Sequence, residues 1–343
     1  MATPQEIAVA HQQRQRSIIL ALIAMILGWW RRLDRARLTE SWQAGVGPSI
    51  VQTMARAQTD IASLVPFYLR DVAQAQGIEP PEHEVVPSAF SGVASDGRPL
   101  ESLMYQPVIA LKRLLAEGVP IDEAMRRATA HLAMIAATQA ADAGRGAVEA
   151  GMTANRQWVM YVRVVNLPAC SRCIILAGRV YSHSTGFLRH PNCDCSMMPV
   201  TGDDVAVLSP RELFEQMSEE EQDRRFGKAG AESIRLGADL GQVVNARRGM
   251  QQASVFGRQT LITTEGTTRR GVAGRRLIEQ GAPTVRVVEE FATRITRQGR
   301  EQRQVRRERV RTPRLMPEAI LQAANGNRDE AIRLLQRFGF ITS

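Results

Sequence analysis

Pro168 to Val200 reads PACSRCIILAGRVYSHSTGFLRHPNCDCSMMPV. All four cysteines of the 343-residue chain lie in it: Cys170 and Cys173 as CxxC, Cys193 and Cys195 as CxC, with His190 three residues before Cys193. Two close-set thiol pairs joined by a short linker suit a metal knuckle. Each pair grips from one tight turn, and the linker returns the chain to complete a tetrahedron. Pro168 and Pro191 fix the backbone just ahead of each pair. This soft donor set predicts one structural zinc on Cys170, Cys173 and Cys193, with Cys195 or His190 as fourth ligand. CxxC followed by CxC is not a standard zinc-finger spacing, so a knuckle of thiols or disulfides without metal is the competing expectation.

Outward from this stretch the pattern changes on both sides. Gln157 to Val165, QWVMYVRVV, reads as a strand, and residues 178–182 and 195–200 as two further short strands. Upstream, helical spacing dominates. Gln5 to Gln43 reads as one long helix broken near Gly28. Gly45-Val46-Gly47-Pro48 stops it, and Ser49 caps a helix that runs to Gln76 with a kink at Pro66. Residues 77–99 form a Pro- and Gly-rich loop. Helices follow at Leu100 to Glu117 and Ile121 to Gly151, the latter carrying His131 as an ordinary helix histidine. Downstream, Ser209-Pro210 and Ser218 with Glu221 each open a helix, and 229–236 and 240–247 are two more. Residues 257–282 read as a hairpin or extended arm, and Pro317 to Ala324 with Asp329 to Phe338 as a closing helical pair.

The expected fold is mainly α with a small α+β metal-knuckle core. Its expected regions are a helical 1–124, a knuckle core at 125–205, a helical 206–256 and a basic extension at 257–343. Ile18 to Trp30, IILALIAMILGWW, is too short for a bilayer, which needs about 20 apolar residues, so it reads as a buried or partner-seeking helix. Trp29, Trp30 and Trp42 are placed to pack on another subunit.

Within the opening stretch, Cys170–Cys173, then Leu176-Ala177-Gly178-Arg179-Val180-Tyr181, then His190-Pro191-Asn192-Cys193-Asp194-Cys195 resemble the Mu F-like minor head proteins of tailed bacteriophages. The likeness covers roughly residues 125–205. The family often has an acidic residue where this chain has Ala177 and a basic one where it has Asp194; neither position is a ligand. The resemblance implies a minor component of a phage head, inside the shell near the portal, contacting portal and other head proteins. It would be made in the host cytoplasm.

Charge is segregated. The chain carries +9 overall, yet residues 241–343 hold 20 basic and 9 acidic residues, so the remainder is slightly acidic. Residues 294–314, RITRQGREQRQVRRERVRTPR, are the densest run, expected as a helix or a disordered arm. Arg303, Arg306, Arg307 and Arg309 are its candidate phosphate contacts to DNA, against a solvated charged face as the other reading. Only Lys112 and Lys228 are lysines, a bias that fits genome composition better than selection for phosphate at every arginine. Four clustered cysteines suit a reducing compartment.

No enzymatic motif stands out. HExxH, GxSxG and a phosphate-binding glycine loop are absent from the sequence. The sharpest enzymatic rival is a zinc-braced nuclease. With histidines only at 11, 83, 131, 183 and 190, its catalytic pair would have to be His183 and His190. A capsid maturation protease shares the phage context. The expectation is a structural, non-enzymatic protein without a membrane partner.

Overall fold

The computed structural model describes residues 2–202, 206–255, 257–266, 272–282, 285–289, 294–295, 301–302 and 307–342. For Val272, and for the described residues between 285 and 311, it describes the backbone alone. The contacts divide the chain into two units: Met1–Ala169 with Leu176–Ser209, and Pro210–Ser343 with the short turn Cys170–Ile175.

The first unit is built on three long helices: α1 (Pro4–Trp30), α3 (Gly47–Ser63) and α7 (Ile121–Thr153). A capping box starts α1: Thr3 Oγ1 accepts from the Glu6 N–H, and the Glu6 carboxylate accepts from the Thr3 N–H. Such a cap is worth about 1 kcal/mol. The buried stripe Ala8, His11, Gln15, Ile19, Leu22, Ile26 and Trp30 follows the helical repeat along the whole of α1. Each fully buried Leu or Ile contributes roughly 1.5–3 kcal/mol, so packing and not capping holds this helix. Gly144 of α7 admits α1 closely, since a Cβ there would stand 2.5 Å from Gln15 Nε2 and 2.8 Å from Ile61 Cγ2.

The long helix ends at Trp30, not at Gly28 or Gln43; a short helix α2 (Leu38–Ser41) and a π-helical turn at Trp42–Val46 follow. The expected stop at Gly45–Pro48 is a kink, and Pro48 sits in the first turn of α3, where its missing N–H costs nothing. Trp30 and Trp42 do not await a second subunit. Both are buried within this unit in an edge-to-face pair 6.4 Å apart, and Trp30 Nε1 donates to Thr129 Oγ1 at 2.9 Å. Pro66 falls in the first turn of α4 (Val65–Ala75), directly after α3 ends. Residues 77–99 are loop with one 3-10 turn, and Pro107 splits the next stretch into α5 (Leu100–Met104) and α6 (Gln106–Ala116). Among the described residues no helix is long and apolar enough to cross a membrane.

A three-stranded antiparallel sheet, ordered β2-β1-β3, closes the unit: β1 (Met160–Val164), β2 (Val180–Ser182), β3 (Ser196–Val200). Tyr161 faces Tyr181 on one side and Pro199 on the other. Pro199 is tolerated because β3 is an edge strand. A second core joins this sheet to α4, to the start of α1 and to the end of α7 through Tyr68, Leu69, Met152, Trp158, Val162 and Met198.

The second unit holds α9 (Pro210–Glu215), α10 (Glu219–Phe226, capped by Ser218), α11 (Lys228–Arg235) and α12 (Leu240–Ala246). The hairpin expected at 257–282 lies earlier: β4 (Met250–Val255) pairs with β5 (Arg258–Thr263), and within the expected arm Val272–Glu279 forms a short helix, α13. The arginine run is not helical where described. Strand β6 (Val285–Glu289) pairs antiparallel with β9 (Arg307–Arg311), and Arg294–Ile295 (β7) pairs with Glu301–Gln302 (β8). The β-branched valines of β6 supply a strand partner that overrides the run's charge. Arg303 and Arg306 lie outside the described residues, as do the side chains of Arg307 and Arg309. Arg314, at the end of the run, is fully buried. It donates to the carbonyls of Glu265, Phe338 and Gly339 and stacks 4.1 Å over Phe340, so this arginine belongs to the core. Helices α14 (Pro317–Ala324) and α15 (Arg328–Arg337) finish the chain around left-handed Asn325.

One buried polar contact in the first unit is sensitive to acid. His11 stacks on Tyr68 at 4.0 Å, and Gln15 Nε2 lies 2.9 Å from His11 Nε2. An amide N–H only donates, so that ring nitrogen accepts, and the imidazole is neutral. Burial, aided by Arg14, pushes the His11 pKa from 6.5 down to about 3. Protons therefore bind the unfolded chain first. The contribution of His11 is complete above pH 6.5 and is lost as pH falls toward about 3. Unfolding between pH 7 and pH 4.5 should show His11→Phe with a shallower pH dependence than the parent, by up to about 1.4 kcal/mol per pH unit. Identical slopes would contradict this assignment.

Candidate metal centre

The first thiol pair is presented by one turn of helix. After β1 the chain reaches α8 (Ser171–Ile174), with Cys170 as its N-cap. The Cys170 carbonyl accepts from the N–H groups of Cys173 and Ile174, both at 3.0 Å. Cys170 is exposed, and Cys173 is buried. The chain then returns beside β1 through Gly178, whose left-handed backbone (φ 69°) suits glycine. Gly178 N–H donates to the Arg163 carbonyl at 3.1 Å, and Arg163 N–H donates to the Arg179 carbonyl at 3.0 Å. The Leu-Ala-Gly-Arg-Val-Tyr segment is thus the hinge that turns the knuckle back into β2.

The second pair rests on a tight turn. Cys193 N–H donates to the His190 carbonyl at 3.1 Å, with Asn192 left-handed inside the turn at φ 62°. Asn192 N–H is held by Thr138 Oγ1 of α7 at 3.0 Å. Cys195 leads directly into β3, and both cysteines are buried.

Helices α7 and α1 grip the backbone between them. Arg145, 5% exposed, donates from Nη1 to the carbonyls of Cys193 (3.2 Å) and Cys195 (2.9 Å). Its Nη2 donates to Asp142 Oδ1 at 2.6 Å, and Asp142 also takes a two-pronged contact from Arg189. Gln12 Nε2 donates to the Asp194 carbonyl at 2.9 Å, and Arg16 Nη2 donates to the Pro168 carbonyl at 3.1 Å. Burial pushes the Asp142 carboxyl up, but the Arg189 hydrogen bonds and the Arg145 charge outweigh it and hold it below its ordinary value. Asp194 is raised, chiefly by burial, with the Arg16 charge opposing. Phe187 lies 4.0 Å from the Arg163 guanidinium and 5.1 Å from that of Arg145.

These turns bring the five candidate ligands into two overlapping groups, Cys170 with Cys173 and His190, and Cys173 with Cys193 and Cys195. In each group the ligand atoms all lie within 4.8 Å of one another. Tetrahedral thiolate coordination has a ligand–ligand edge of about 3.8 Å, given metal–sulfur bonds of about 2.3 Å. Each group is close enough for its ligand atoms to hold a metal ion. Cys173 is common to both groups. His83, His131 and His183 join neither. His183 is exposed, with Nδ1 3.1 Å from the Val159 carbonyl.

The sequence reading missed Arg145, Asp142, Arg189 and Gln12. One signal was available: Asp142 and Arg145 interrupt an Ala- and Gly-rich stretch of α7 at helical spacing. A charged pair there needs a partner.

A family model for the VG15 protein matches residues 1–220, more than half of the chain and the whole of the cysteine cluster. The chain belongs to the VG15 protein family. That family is a viral or phage protein family. The VG15 match takes in the whole first unit and ends early in the second. No curated protein and no solved structure matches the chain.

Elemental analysis of this VG15 protein, purified without added metal, should find close to one transition-metal ion per chain. Less than about 0.2 per chain, with four reactive thiols, would contradict a structural centre, because such sites normally retain their metal. Cys173→Ser should cost more metal than Cys170→Ser, because Cys173 serves both ligand groups.

Proposed function

We propose that this VG15 protein is a structural, non-enzymatic component of a phage head. It is of the minor head class, held inside the shell near the portal, and its metal is zinc. The observation that carries the reading is the cysteine arrangement itself. The CxxC, the hinge through Gly178 and the His-Pro-x-Cys-x-Cys turn resemble the Mu F-like minor head proteins. The viral family membership agrees with that setting. The donor set favours zinc: thiolates and imidazole in a tetrahedron are its preferred structural shell. A shell filled by four protein ligands has no open position for a reacting water, which is why the centre is read as a brace. Helical flanks contact portal and other head proteins, and the basic C-terminal region meets packaged DNA without reading its sequence.

Heads assembled in the presence of portal and shell proteins should contain the chain at a fixed ratio to portal, as read by quantitative mass spectrometry. Cys173→Ser should be lost from heads together with its thermal stability. Heads that lack the parent chain would overturn the reading. So would a zinc-loaded parent that cleaves DNA or head protein, if a folded Cys173→Ser variant abolished that cleavage.

A further inference from the structure

We infer that Arg145 is a positioning and charge-balancing residue for the metal centre, acting with Asp142 and Arg189 as one unit. The inference rests on the reading of the cysteine cluster as a metal site. Its geometry comes from hydrogen bonds that involve no metal.

Arg145 is a guanidinium buried in an Ala- and Gly-rich stretch of α7, a costly placement unless its donors and charge are used. Its donors go to the Cys193 carbonyl, the Cys195 carbonyl and Asp142 Oδ1. One nitrogen bridges the two carbonyls that flank Asp194, and so fixes the CxC backbone from which both buried sulfurs project. Asp142 accepts from Arg189 Nε and Nη2, so the same carboxylate also holds the residue before His190. The residues bordering and bearing three of the five candidate ligands are thus bolted to one turn of α7.

Charge points the same way. A divalent ion with three thiolates and a histidine carries −1, and with four thiolates −2. Buried, that charge requires a cation nearby. Two guanidiniums and one carboxylate leave the Arg145–Asp142–Arg189 unit at +1, set against the CxC backbone. Arg16 also lies close by, 3.7 Å from the Asp194 carboxylate, which offsets it. Lysine at position 145 would keep the charge but would lose the planar fork that spans two carbonyls and a carboxylate.

The test measures zinc affinity by competition with a chromophoric chelator, using the full chain as parent, R145K, R145M and D142N. Melting temperatures are taken with zinc and after chelation. R145M should bind zinc 10–100-fold more weakly, in the range found for residues that orient metal ligands. R145K should fall between R145M and the parent. D142N should also weaken binding, because it releases Arg189. The loss of melting temperature in R145M should be larger with zinc than without. Parent-like zinc affinity in R145M and D142N would overturn the inference while leaving the metal reading intact. Equal loss of melting temperature with and without zinc would make Arg145 an ordinary packing residue and also overturn it. A parent that binds no zinc would overturn the metal reading itself. Should R145M fail to fold, the affinities of R145K and D142N decide the matter.

Discussion

One buried guanidinium fixes the segment on which the first unit converges. Through its bonds to the carbonyls of Cys193 and Cys195, Arg145 sets the path of the chain as it enters β3. Strand β3 is buried along its whole length and pairs with all five residues of β1, so an error in that path would propagate into the sheet register. Tyr68 of α4 donates to the Met197 carbonyl of β3 at 2.8 Å, and Gln76 donates to that of Pro199 at 2.7 Å. Helix α7 thus holds the approach to β3, and α4 with the residue after it holds the strand itself, both by carbonyl groups. The side-chain donors reach carbonyls that the edge strand leaves without a ladder partner, the usual way a buried edge is satisfied.

Helix α1 ties the CxC turn to the helical bundle within the first unit. Its first half carries polar residues on the buried face: His11 against Tyr68, Gln12 to the Asp194 carbonyl, and Gln15 against α7 at Gly144. Its second half carries Ile19, Leu22, Ile26 and Trp30 into the apolar core. The same helix is therefore a polar clamp at one end and a hydrophobic strut at the other. The buried amides are specific because each must find its partner or leave an unpaired group, a loss of about 1–3 kcal/mol.

Much of this was legible in the sequence, and the limits have a physical pattern. Strands β1, β2 and β3 were readable because β-branched and aromatic residues bordered the cysteines, and α7 because its apolar spacing is long and regular. The four thiols with His190 were readable because soft donors cluster for few reasons. What could not be read are bonds from side chains to distant carbonyls. Arg145 to Cys195, Gln12 to Asp194 and Tyr68 to Met197 span 50, 182 and 129 residues. A carbonyl has no sequence identity, so such bonds leave no spacing to detect. The Trp pair was misassigned to an interface for the related reason that apolar periodicity reveals that a face is covered, not what covers it. In the arginine run, charge density argued for a helix or arm, while pairing with the valines of β6 decided for strand in the described backbone.

The proposed centre draws four ligands for one ion from Cys170, Cys173, His190, Cys193 and Cys195. X-ray absorption at the zinc edge of the purified full chain tests it most directly. The spectrum should show a four-coordinate first shell with three or four sulfurs at about 2.3 Å, and one nitrogen when the sulfurs number three. A shell of light oxygen and nitrogen atoms with no sulfur, at full zinc occupancy, would contradict it.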